Sequence, residues 1–91
     1  MQTDFEVFFG DLELTEEQGA LCIIQSGDIK ITWNKNNQKE VDNAKGIFED
    51  LIKQGFSAFS VGKLGKKGKE KITEFDPKKK GIILIAPMAG G

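Results

Sequence analysis

Residues 82–86, Ile-Ile-Leu-Ile-Ala, form an uninterrupted apolar run close to the C-terminus, and they restrict the possible folds more than any other stretch of the chain. A strand with one wet face alternates apolar and polar side chains; a strand covered on both faces does not. So short a run without alternation predicts a strand at the centre of a sheet, with cover above and below it. Pro87 follows at once and, having no amide hydrogen, ends any further ladder. Residues 88–91, Met-Ala-Gly-Gly, are predicted to leave as a thin, flexible tail.

A chain of 91 residues can bury one core and makes a single domain over its whole length. The longest apolar runs, 20–24 and 82–86, fall far short of a bilayer span, and the N-terminus is acidic where a secretion signal is basic. Both features predict a soluble, cytoplasmic protein without a membrane partner. There is one cysteine, Cys22, and no histidine. Cys22 alone can close neither an internal disulfide nor a thiolate metal cage, and Ser/His or Cys/His catalysis is excluded. Within Leu21-Cys22-Ile23-Ile24 it reads as a small buried hydrophobe. The chain is expected to be no enzyme and to need no cofactor.

Taken in order, residues 4–9 place Phe5, Val7 and Phe9 on one face of a strand, Gly10-Asp11 makes a turn, and Leu12 and Leu14 continue the alternation. An acidic hairpin extension, 4–9 with 12–15 inside residues 1–19, is the expectation. Thr15-Glu16-Glu17-Gln18 has the form of a capping box that would open a helix through Ile24, although Gly19 opposes it. The competing reading is a hairpin, 20–25 with 29–33 across Ser26-Gly27-Asp28, that points Ile29, Ile31 and Trp33 inward. Sequence alone leaves both open for residues 15–25.

A helix over 38–54 is predicted by Asn37 as N-cap with Glu40 three residues on, and by one apolar stripe of Val41, Ala44, Ile47, Phe48, Leu51 and Ile52. Gly55 is placed to close it in the left-handed conformation. Residues 56–61 read as a strand inside a sheet, pairing with 82–86 or with 29–33. A glycine and lysine loop follows over 62–69. Residues 71–75 resume as a strand, and Asp76-Pro77 opens a turn from which 82–86 returns to pair with 71–75. The predicted fold class is α+β, a mixed or antiparallel sheet with one helix packed across one face.

Charge is sorted along the chain. Residues 1–19 hold six acids and no base, while residues 62–91 hold eight lysines against three acids. Lys63, Lys66, Lys67 and Lys69 in one loop and Lys78, Lys79 and Lys80 in the next would make a basic edge suited to an acidic protein surface. The alternative is that acidic and basic segments simply lie side by side, with lysines guarding sheet edges against aggregation. A phosphate loop is excluded because five residues separate Gly62 from Gly68, and Lys69 precedes Glu70 rather than Ser or Thr. The Gly65-Lys66-Lys67-Gly68 element lacks the flanking helices of an RNA-clamping loop. The chain has no arginine and this loop no aromatic residue, so nucleic acid is a disfavoured partner. Glu13, Glu16 and Glu17 sit in a polar turn with no apolar wall to raise a pKa for acid or base duty.

The tail Ala86-Pro87-Met88-Ala89-Gly90-Gly91, following a buried strand, resembles the C-terminus of β-grasp, ubiquitin-like sulfur carriers, the type of the small molybdopterin synthase subunit and the thiamine-pathway carrier. Ala86 stands where that family has its first proline, and an N-terminal extension precedes the expected first hairpin. The resemblance implies a β-grasp-like fold and a terminal Gly91 carboxylate that a partner activating enzyme adenylates with ATP. Gly90 is the slim residue behind it, since only a tail without side chains can thread into such an active site.

Overall fold

A computed structural model of the chain describes residues 9–10, 12–25, 27–61 and 69–87. Its elements are β1 (Gln18–Ile24), β2 (Asp28–Asn34), α1 (Gln38–Lys53), β3 (Ser57–Val61), β4 (Lys69–Ile72) and β5 (Gly81–Ile85). They build a mixed five-stranded sheet in the order β2-β1-β5-β3-β4, with α1 packed against one face, an α+β fold. β1 pairs antiparallel with β2; β5 lies between β1 and β3, parallel to the first and antiparallel to the second; β3 and β4 are antiparallel.

The apolar run takes the central position its composition requires. Ile82 and Leu84 join the core beneath α1, Ile83 joins a second core on the opposite face, and all three are fully shielded from water. The expected hairpin of 71–75 with 82–86 is not formed. Both edges of β5 are already taken, by β1 and β3, and β4, reading Lys-Glu-Lys-Ile, is too charged for any place but the border of the sheet. Residues 73–80 instead run back along the helix side. There Phe75 stacks edge-on against Trp33 at 5.0 Å and tilts against Phe48 at 5.8 Å.

Residues 18–24 are strand, not helix. The capping-box residues still hold each other, with the Thr15 amide donating to Gln18 Oε1 at 3.0 Å and the Gln18 amide to the Thr15 carbonyl at 3.1 Å. The chain then extends as a strand because Gly19 lies opposite Trp33 in the β1–β2 register and the indole crosses over it. A Cβ at position 19 would stand 2.3 Å from Trp33 Cζ2.

α1 begins on the predicted residue and ends at Lys53, one residue before the expected 54, with Gln54 as its C-cap. Asn37 Oδ1 accepts from the Glu40 amide at 3.2 Å, and Glu40 Oε1 accepts from the Asn34 amide at 2.7 Å, which ties the helix start to the end of β2. At the other end the Gly55 amide donates to the Ile52 carbonyl and the Phe56 amide to the Leu51 carbonyl, both at 3.0 Å, with Gly55 at φ +99°. That is a complete Schellman closure. Val41, Ala44 and Phe48 are buried against the sheet, and Ile47, Leu51 and Ile52 border them.

Two expectations are corrected on the strands' margins. Residues 12–15 are not a strand, and of 4–9 only Phe9 belongs to the described residues, where it is not in a strand. Phe9, Leu12 and Leu14 lie on the second face of the sheet against Ala20, Cys22, Val61 and Ile83, so their apolar side chains serve as a cover and not as a ladder. Ile29, expected inward with Ile31 and Trp33, is 60% exposed. β2 is an edge strand with no neighbour on its outer side among the described residues, and α1 shields its Trp33 end.

Candidate functional site

β5 gives the molecule two unlike ends, roughly 13 Å apart along a five-residue strand. At its start, Ala20 of β1 lies opposite Gly81, and the Ala20 amide donates to the Lys80 carbonyl at 3.0 Å. Val61 also lies opposite Gly81, and Lys69 lies opposite Val61. This brings the two ends of the 62–68 connection beside the turn that carries Lys78, Lys79 and Lys80. Lys63, Lys66 and Lys67 themselves lie outside the described residues, and of Lys69 only the backbone place in β4 is described.

The lysine turn is tightly built. Asp76 Oδ1 accepts from the Lys78 amide at 2.9 Å and the Asp76 carbonyl from the Lys79 amide at 3.0 Å, with Pro77 at the second position as predicted. The Pro77 carbonyl accepts from Trp33 Nε1 at 3.1 Å, so the turn is fixed to the core. Lys78 is exposed; Lys79 and Lys80 are half-buried. Lys80 Nζ donates to the Thr15 carbonyl, and Lys35 Nζ reaches the Glu16 carbonyl at 3.5 Å. Acidic and basic segments therefore meet at this end, and one of the predicted partner-binding lysines, Lys80, is used inside the molecule.

At the opposite end β5 runs out beside the β1–β2 turn. The Ala86 amide donates to the Ile24 carbonyl at 3.1 Å, which extends the parallel pairing by one residue beyond Ile85. Pro87 is exposed and lies over Gly55, where an added Cβ would stand 3.6 Å from its Cγ. Gly90 and Gly91 lie outside the described residues.

Sequence reading missed a groove of about 500 Å³ between α1 and residues 73–75, floored by Phe48, Ile52 and Phe75 and rimmed by Lys45, Glu49 and Glu74. Its signal was Phe75, which breaks from the strand to pack over the helix side. Among the described residues, electrostatic perturbation falls on Asp28, Lys30 and Cys22. Asp28 and Lys30 form an ion pair at 2.8 Å on the surface of β2; the hydrogen bond between them lowers the Asp28 carboxyl and raises the Lys30 ammonium. Burial pushes the Cys22 thiol up. Among the described residues no group of three or more His, Cys, Asp or Glu side chains is arranged to hold a metal ion, and no helix is long and apolar enough to cross a membrane.

Comparison with protein-family models, with curated proteins and with solved structures gives no match to this chain.

Proposed function

We propose that the chain is a cytoplasmic β-grasp, ubiquitin-like protein, a sulfur carrier or protein modifier, whose C-terminal Gly90-Gly91 is activated by a partner enzyme that uses ATP. It has no catalytic chemistry of its own. The observation that carries this reading is the course of β5: the central strand runs parallel to β1, is paired on both sides, and continues through Ala86 to the exposed Pro87, which immediately precedes residues 88–91 in sequence. A rigid stem placed immediately before a slim terminus is what delivery of a carboxylate into another protein's active site requires. The hairpin, helix and returning strands in the order β2-β1-β5-β3-β4 support the β-grasp assignment. Pro87, the last described residue before the tail, lies at the end of β5 opposite the one that carries Lys78, Lys79 and Lys80.

The test is incubation of the full chain with an activating enzyme from the same organism and ATP, followed by intact-mass measurement. An adenylate or thiocarboxylate mass increase is expected on the full chain and is expected to vanish when Gly91 is deleted. No mass increase, with the enzyme active on its own carrier, overturns the proposal. A module that acts instead by docking its lysines on an acidic surface would keep its function after loss of Gly90 and Gly91 and lose it in the triple variant Lys66→Glu, Lys67→Glu, Lys69→Glu.

A further inference from the structure

The amide pattern of β2 determines what its open side can bind. The Lys35 amide donates to the Glu17 carbonyl at 2.6 Å and the Gln25 amide to the Gly27 carbonyl at 3.0 Å, at the two ends of a ladder whose register runs from Gln18 opposite Asn34 to Ile24 opposite Asp28. Bonded and non-bonded pairs alternate in an antiparallel ladder. Ile29, Ile31 and Trp33 are therefore the β2 residues bonded to β1, and Asp28, Lys30, Thr32 and Asn34 turn their amides and carbonyls outward. Asn34 agrees with this, since its amide meets Glu40 Oε1. Helix capping thus closes the edge at Asn34, whereas the half that holds Asp28 and Lys30 has no such cover among the described residues.

That half also carries Ile29, the large apolar side chain most exposed among the described residues. It stands between Asp28 and Lys30, whose side chains are 54% and 34% exposed. Exposed strand edges with an apolar residue are templates for pairing with another chain.

We propose that this edge joins two copies of the chain, β2 pairing antiparallel with β2 of the second copy about a two-fold axis at Ile29. Charge and bonding select the register. Centred on Ile29, each Asp28 faces the other copy's Lys30, and the two residues exchange backbone hydrogen bonds at both pairs. Ile29 meets its own copy in the close, non-bonded position. Ile31 lies opposite Gly27, around which there is open space. Centred on Lys30, two ammonium groups would oppose each other; centred on Ile31, pairing would require the Asn34 amide that Glu40 already holds. The self-complementary order acid, apolar, base is what an isologous contact needs. The contact does not depend on the chemistry of the tail.

The experiment is sedimentation equilibrium of the full chain across a range of concentrations, at low and high salt. The wild type is expected to dimerise, and Asp28→Lys and Lys30→Asp each to weaken the dimer by more than about tenfold, since each sets like charges face to face. An equimolar mixture of the two variants is expected to recover association as a heterodimer, a result that two misfolded variants cannot give. Ile29→Thr, a substitution at an exposed position, is expected to weaken the dimer without changing the circular dichroism spectrum. A wild type that stays monomeric at every concentration, either charge variant associating as the wild type does, or a mixture that fails to recover association overturns the proposal.

Discussion

A methyl group on residue 19 would stand 2.3 Å from Trp33 Cζ2 and 2.7 Å from the Lys79 carbonyl oxygen, so Gly19→Ala must displace either the indole or the lysine turn bonded to it. A loss of about 1–3 kcal/mol in urea denaturation followed by tryptophan fluorescence is expected, the usual cost of overpacking a filled core. Gly46 is the control: an added Cβ there meets nothing within 4 Å, and Gly46→Ala is expected to gain about 0.4–1 kcal/mol. Cys22 gives a pH dependence. Its pKa is raised in the fold by burial, so the neutral thiol is the form the core accepts. The contribution is complete below the unfolded thiol's value of about 8.5 and is lost as pH rises through the higher folded value. The stability advantage of wild type over Cys22→Ala should accordingly shrink as pH rises above about 8.5, and a constant difference would show that the fold does not raise the Cys22 pKa.

Among the elements, α1 and β5 could be read from sequence because their determinants are local. Asn37, Glu40, the apolar stripe and Gly55 lie within one continuous stretch, and each acts on its own neighbours. Asn37→Ala is expected to cost about 1 kcal/mol. Gly55→Ala, which forces a side chain to φ +99°, is expected to cost about 1–2 kcal/mol. Both are measurable as shifts in the urea midpoint at unchanged slope. The course of the chain between β4 and β5 could not be read in the same way. Asp76-Pro77 announces a turn, but a turn does not say which strand is reached after it, and the parallel pairing of β1 with β5 joins residues too far apart in sequence for any turn residue to encode. The strand expected at 12–15 failed for a related reason: Leu12 and Leu14 alternate as strand residues do, yet alternation also suits an irregular segment laid across an apolar face. For the candidate site, the lysine pattern was visible, while the bond from Lys80 to the Thr15 carbonyl, between residues far apart in sequence, was not.

Across the whole molecule the sheet separates two cores of different construction. One is closed by α1 and Phe75; the other, of Ala20, Cys22, Val61 and Ile83, is closed by Phe9, Leu12 and Leu14, from a stretch whose residues 12–15 have no regular secondary structure. Phe9 is 1% exposed and Cys22, in the same cluster, is also 1% exposed, so the thiol reports on whether that cover is in place. The phenyl ring packs in one cluster with the small side chains of Ala20 and Cys22, which are too short to fill the space that its removal would leave. Phe9→Ala is therefore expected to cost about 3–5 kcal/mol, toward the full value for a buried aromatic. It should also speed alkylation of Cys22 by iodoacetamide under native conditions, where the thiol reacts only when the cover opens. If the cover opens as a unit separate from the helix-side core, the opening free energy from hydrogen exchange at the β5 amides in Phe9→Ala will remain larger than that from alkylation of Cys22, each rate taken relative to its unprotected reference. Equal opening free energies from the two measurements would mean that the N-terminal cover and the central sheet unfold together.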